Sequence, residues 1–133
     1  MMAWLRGLLS RDDESLGARG ERAAEHWLRR QGYRIVERNL HVGRDEVDIA
    51  AMAPDGRTLV IVEVKTRMAD EILPEEQVGP AKQRRLVRLA AKLSQQERFR
   101  GCGVRFDVIA VVWAEGARKP IIRHHEGAFL SSL

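Results

Sequence analysis

Three features of the chain predict an α/β domain. Two runs of alternating or continuous apolar residues, 44–53 and 58–67, flank the turn signal Pro54-Asp55-Gly56 and read as a β-hairpin. Two stretches with helical spacing, 16–31 and 80–97, stand on either side of that hairpin. A mostly apolar run at 104–113 and a short one at 120–124 complete the order helix, three strands, helix, strand, strand.

In the first helix Leu16, Gly20, Ala23, Ala24, Trp27 and Leu28 recur at the three-and-four spacing of one buried face, and Gly32 stands where a glycine ends a helix. Glu21 lies on the margin of that stripe. It suits the positive end of the helix dipole, and it also stands where it could reach a carboxylate cluster. Residues 33–40 form the next strand, and 41–43 lead into the hairpin. Residues 67–78 read as a loop with one helical turn. Pro80 suits the first helical position, and Leu86, Leu89, Ala90 and Leu93 make the core stripe of the second helix, which is expected to run to about Glu97. Gly101-Cys102-Gly103 is a turn. Arg105 and Asp107 share a face of the next strand and pair with neighbouring charges. Ala128-Phe129-Leu130 is expected to plug the core.

At 133 residues and 44% hydrophobic content the chain suits one domain with a real core, 16–133, after a flexible segment, 1–15. Trp4, Leu5, Leu8 and Leu9 make an apolar patch too short to cross a membrane and without the shape of a signal peptide. The single cysteine, Cys102, excludes an internal disulfide and a cysteine-based zinc site, so a cytoplasmic protein with no membrane association is expected. A net charge of +4 permits a polyanionic partner without demanding one. The charge is concentrated between Lys82 and Arg105, where eight Lys or Arg face one acid, Glu97. Such a run is either a solvated face or a surface for phosphates.

The hairpin carries the chemistry. Alternation puts Glu46 and Asp48 on one face of the first strand, and Glu63 and Lys65 on one face of the second. With Asp55-Gly56 as a two-residue loop, paired positions sum to 111, so Asp48 opposes Glu63 and Glu46 opposes Lys65. Opposed like charges are destabilising, and burying them uncompensated costs more. A hard divalent cation with Lys65 nearby resolves the conflict, whereas an ordinary surface Glu46–Lys65 pair is the plainer reading of Glu-x-Lys alone.

This element order, with an acidic hairpin at its centre, resembles the restriction-endonuclease-like nucleases and their Asp…Glu-x-Lys pattern. The closer resemblance is to the YraN family of that superfamily. It is carried by Gly17-Ala18-Arg19-Gly20-Glu21, Gly32-Tyr33-Arg34-Ile35, Arg38-Asn39, Glu46-Val47-Asp48, Val62-Glu63-Val64-Lys65-Thr66-Arg67, Lys82-Gln83-Arg84-Arg85, Arg105-Phe106-Asp107-Val108 and Ala128-Phe129. The resemblance implies an αβββαβ core with a mixed central sheet flanked by helices, and a Mg²⁺- or Mn²⁺-dependent nuclease acting on DNA rather than RNA, with branched or structured DNA among its substrates. It makes Asp48 and Glu63 metal ligands, Glu21 a further ligand, and Lys65 the group that orients water. Arg67, Lys82, Arg85, Arg88 and Lys92 would hold the nucleic acid, and a homodimer would serve two strands. Asp45 departs from the family, where glycine commonly precedes the Glu. The rival class is a nucleic-acid-binding or accessory protein that keeps the fold without turnover. A protein-interaction role for the apolar amino end is a third.

Overall fold

The computed structural model describes residues 14–69 and 80–127. Helix α1 (Leu16–Arg30) leads into β1 (Arg34–Val42), β2 (Asp45–Met52) and β3 (Thr58–Met68). Helix α2 (Pro80–Ser94), a 3-10 turn (Glu97–Phe99), β4 (Gly103–Trp113) and β5 (Ile121–His125) follow. The five strands lie side by side in chain order. Only β3 and β4 run parallel, and the other neighbours are antiparallel. Parallel neighbours need a long crossover, and α2 lies within it. The result is the α/β fold with a mixed sheet that the sequence predicts, consistent with a restriction-endonuclease-like core.

Each helix covers one face of the sheet. Ala24 and Leu28 of α1 pack with Ile49, Ala51, Val60, Val62, Ile109 and Val111. Leu86, Leu89 and Leu93 of α2 pack with Val47, Ala50, Leu59, Ile61 and Phe106 on the opposite face. Strand β3 is therefore buried on both sides, as its unbroken apolar run requires. Ser15 caps α1 by accepting a hydrogen bond from the Ala18 amide at 3.1 Å, and Gly32, at φ +92°, turns the chain out of it. Helix α2 stops at Ser94, earlier than its periodicity suggests. Residues 97–99 tighten into the 3-10 turn that buries Phe99.

The turn between β2 and β3 is wider than the sequence suggests. Ala53 donates to the Thr58 carbonyl at 2.9 Å, which leaves four residues, 54–57, in the loop. Asp55 organises them, its Oδ1 accepting from the Arg57 and Thr58 amides and its Oδ2 from the Thr58 hydroxyl. A four-residue and a two-residue loop about the same centre give the same rungs. Ile49↔Val62, Ala50↔Ile61, Ala51↔Val60 and Met52↔Leu59 all sum to the expected 111. Residues 70–79, the expected loop helix among them, and the Ala128-Phe129-Leu130 plug lie outside the described residues.

Candidate functional site

The hydrogen-bonded ladder between β2 and β3 ends at Ile49↔Val62, one position short of Asp48 and Glu63. Beyond it the Val64 amide donates to the Asp48 Oδ2 at 2.9 Å. A side chain thus takes the place of a ladder carbonyl, and β2 peels away from β3. Asp48 also lacks a rung partner on its other side, where Asn39 of β1 adopts φ +49°. Asn tolerates this left-handed conformation better than most residues. Across this irregularity β2 changes faces, for Val47 packs under α2 and Ile49 under α1. Strict alternation therefore fails at Asp48, and the residue lines clefts on both sides of the sheet. One is shared with Glu46, Glu63 and Arg85, the other with Glu21, Asn39 and Arg38.

Glu21 reaches Asp48 because α1 lies unusually close to β3. A Cβ on the buried Gly20 would fall 1.8 Å from the Thr66 hydroxyl oxygen, so only glycine permits the approach. The adjacent Glu21 side chain then hydrogen-bonds Asp48. Burial, the Asp48 charge and this hydrogen bond push the Glu21 carboxyl above the usual range. Asp48 is also raised, by burial and then by the charges of Glu63 and Glu46, against the opposing hydrogen bond from Val64. Glu63, Lys65 and Arg67 follow Ile61 at two-residue steps on the α2 face of β3. Arg67 donates to the Thr66 carbonyl at 2.8 Å.

The donor chemistry suits a hard divalent cation: carboxylate oxygens, crowded by like charge and partly withdrawn from water. Among the described residues no three His, Cys, Asp or Glu side chains converge closely enough to hold an ion unaided. Mg²⁺ does not require such a cage, because it is commonly held by one or two carboxylates, waters and substrate phosphates.

The model of a protein family described as "Uncharacterised protein family UPF0102" matches residues 20–111, more than half of the chain. This chain belongs to the UPF0102 family. It is 41% identical over 119 residues to a UPF0102 protein of Pelobacter propionicus, covering 89% of this chain and 84% of that one. Identity is 46% over 105 residues to one of Prosthecochloris aestuarii, covering 78% and 80%. With one of Arthrobacter sp. it is 43% over 118 residues, covering 88% and 98%. The part matched by the UPF0102 model runs from Gly20 to Val111, which takes in Glu21, Asp48, Glu63 and Lys65.

The basic helix of this UPF0102 chain is partly engaged. Asp45 is 7% exposed. Its carboxylate stands 3.3 Å from the Nη2 of Arg88 and 3.7 Å from the Nε of Arg85. Arg85 also donates to the Glu46 carbonyl at 3.0 Å. A Cβ on Gly43 would meet the Lys92 Nζ at 3.0 Å, which sets that ammonium beside the β1–β2 turn. Lys82 lies on α2, its side chain outside the described residues. Asp45 and Asn39 are the contributors least visible in sequence. Asp45 was detectable only as an extra acid beside Glu46, and Asn39 only as a residue type tolerant of positive φ.

A second polar cluster, on β4 and β5, is closed. Asp107, 1% exposed, accepts from Arg105 at 2.9 and 2.8 Å and from the Gly127 amide at 3.0 Å, with the His124 Nε2 at 2.7 Å. The Trp27 indole donates to the His124 Nδ1 at 3.2 Å, so the ring proton is on Nε2 and points at Asp107. Arg105 also donates to the Tyr33 hydroxyl at 2.6 Å, and that hydroxyl donates to Glu126 at 3.3 Å. Burial would raise Asp107, but the His124 and Arg105 hydrogen bonds outweigh it and hold the carboxyl below its usual range. Arg105 and Asp107 pair as their shared face suggests. Among the described residues no helix is long and apolar enough to cross a membrane.

Proposed function

We propose that this UPF0102 protein is a metal-dependent nuclease that hydrolyses phosphodiester bonds in DNA, with branched or structured DNA the first substrate to try. The observation that supports it best is Asp48 at the point where β2 leaves β3, hydrogen-bonded to Glu21 and raised by the charge of Glu63. Two carboxylates raised by burial and by neighbouring acids mark a site arranged for chemistry more often than for stability. Asp48 and Glu63, with Glu21 beside them, would hold Mg²⁺ or Mn²⁺. The cation would polarise the phosphoryl oxygen and acidify bound water. Asp48 is fixed by the Val64 amide, so its orientation does not depend on a ligand. Glu21, hydrogen-bonded to Asp48, stands where it could join that carboxylate in facing the ion. Lys65, two residues beyond Glu63 on the same face, orients the attacking water or offsets charge on the pentavalent transition state. Arg67 and the Lys82–Lys92 face of α2 hold the backbone, and a second copy of the chain would address the second strand.

Asp48→Asn should abolish Mg²⁺-dependent cleavage of linear, single-stranded and four-way DNA while leaving gel-shift affinity intact. Unchanged cleavage by that variant removes the site from consideration. The second reading, a non-catalytic nucleic-acid-binding or accessory protein, draws on the lack of a closed three-ligand cage among the described residues. Binding without cleavage in Mg²⁺ and in Mn²⁺ decides for it.

A further inference from the structure

Resting on the reading of this cleft as a site for nucleic acid, the structure assigns to Asp45 a positioning role: it holds Arg85 over the cleft to take a backbone phosphate. Asp45 is nearly buried, and a carboxylate withdrawn from water strongly favours a nearby cation. It has two, Arg88 at 3.3 Å and Arg85 at 3.7 Å. The Arg85 distance is too long for a hydrogen bond, and the buried Nε has no hydrogen-bond partner among the described residues. The firm tie on Arg85 is the Glu46 carbonyl at 3.0 Å. Arg85 is thus steered by charge and anchored at one point, and its side chain remains 40% exposed. It lines the same cleft as Asp48 and Glu63. The buried Nε faces Asp45 and leaves the exposed end of a planar guanidinium, its Nη groups, at the rim of an acidic cleft, where it matches the bidentate geometry of a phosphodiester. Asp45 thereby acts through Arg85, with Arg88 as its second tie.

The signs of two opposed effects separate this role from simple charge. Asp45→Asn raises the formal net charge from +4 to +5, which on electrostatics alone tightens binding to a polyanion. If Asp45 positions Arg85, the same substitution weakens binding severalfold despite the added charge. The experiment is fluorescence anisotropy with labelled duplex and four-way DNA, in EDTA, over a series of salt concentrations. Arg85→Gln is expected to weaken binding and to lower the slope of log affinity against log salt by about 1, the signature of one lost phosphate contact. Asp45→Asn added to Arg85→Gln is expected to cost little more, because the pair acts as one unit. Tighter binding by Asp45→Asn, or an unchanged salt slope in Arg85→Gln, overturns the assignment. Should Asp45→Asn fail to fold, Arg85→Gln, which leaves the Arg88–Asp45 pair in place, decides alone. If the unaltered chain shows no salt-dependent binding to either DNA, the nucleic-acid reading falls and this inference with it. Binding by the unaltered chain with no effect of Arg85→Gln sinks only the inference.

Discussion

Asp48 and Asp107 straddle the same strand. Val62 of β3 has Asp107 as its rung partner on one side and Ile49, next to Asp48, on the other. Both carboxylates are withdrawn from water, yet their protonation is pushed in opposite directions. Asp107 is met by a guanidinium, an imidazole N–H and a backbone amide, which together satisfy an ionised carboxylate. Asp48 is met by one amide and by further acids. Burial pushes both groups upward, so the company each keeps decides the sign. One cluster is met by opposite charge and N–H donors, and the other sets several acids beside one another.

The contrast breaks most severely at Asp107. Asp107→Asn leaves Arg105 in a half-buried setting without its counter-charge and should cost roughly 3–5 kcal/mol of stability, the scale for breaking a buried pair. Urea denaturation measures it, and added Mg²⁺ should not restore it. A loss below about 1 kcal/mol would mean that the cluster is no keystone. Gly20→Ala comes next. Crowding Thr66 should destabilise the fold by about 1–3 kcal/mol, and it should lower the Glu21 carboxyl toward its usual range by separating it from Asp48, a change that NMR titration of that side chain would follow.

The smallest effect has the most telling sign. An acid whose folded-state pKa is raised adds stability below its unfolded pKa and loses it as pH rises through the folded value. Asp48→Asn should therefore raise stability near neutral pH by roughly 0.2–1 kcal/mol, the scale of opposed like charges. The gain should vanish in acid, where Asp48 is itself protonated. Thermal melts across pH test this, and Mg²⁺ should raise the melting temperature of the unaltered chain but not of the variant. For Asp107 the sign is reversed. Its stabilisation is present above the unfolded pKa and fades as pH falls through the depressed folded value.

Much of this frame was legible from residues alone, and for identifiable reasons. The hairpin register depends only on where the turn is centred, so the wrong loop length left the four rungs from Ile49↔Val62 to Met52↔Leu59 in place, but the expected Asp48–Glu63 and Glu46–Lys65 rungs do not form because the ladder stops before them. Leu86, Leu89 and Leu93 announced the buried face of α2 because helical period and burial agree there. What stayed hidden is non-local or irregular. The Trp27–His124 bond joins residues 97 apart, and no local pattern reports such a contact. The face change at Asp48 depends on Asn39 of the neighbouring strand, and a period-2 reading assumes it away. The charge of α2 was visible as a run, but its attachment to Asp45 was not, since charge patterning carries no information about which basic residues find partners across the fold.

The contact between Gly20 and Thr66 gives a single missing methyl group control over how closely Glu21 approaches Asp48. Helix α1 brings its acid from one end of the chain, and the hairpin supplies the others from the middle. Nothing larger than a hydrogen atom can stand at the seam. Slight loosening there would detach Glu21 from Asp48 while sparing the rest of the sheet, so the seam is the natural place from which to tune proton sharing without touching any acid.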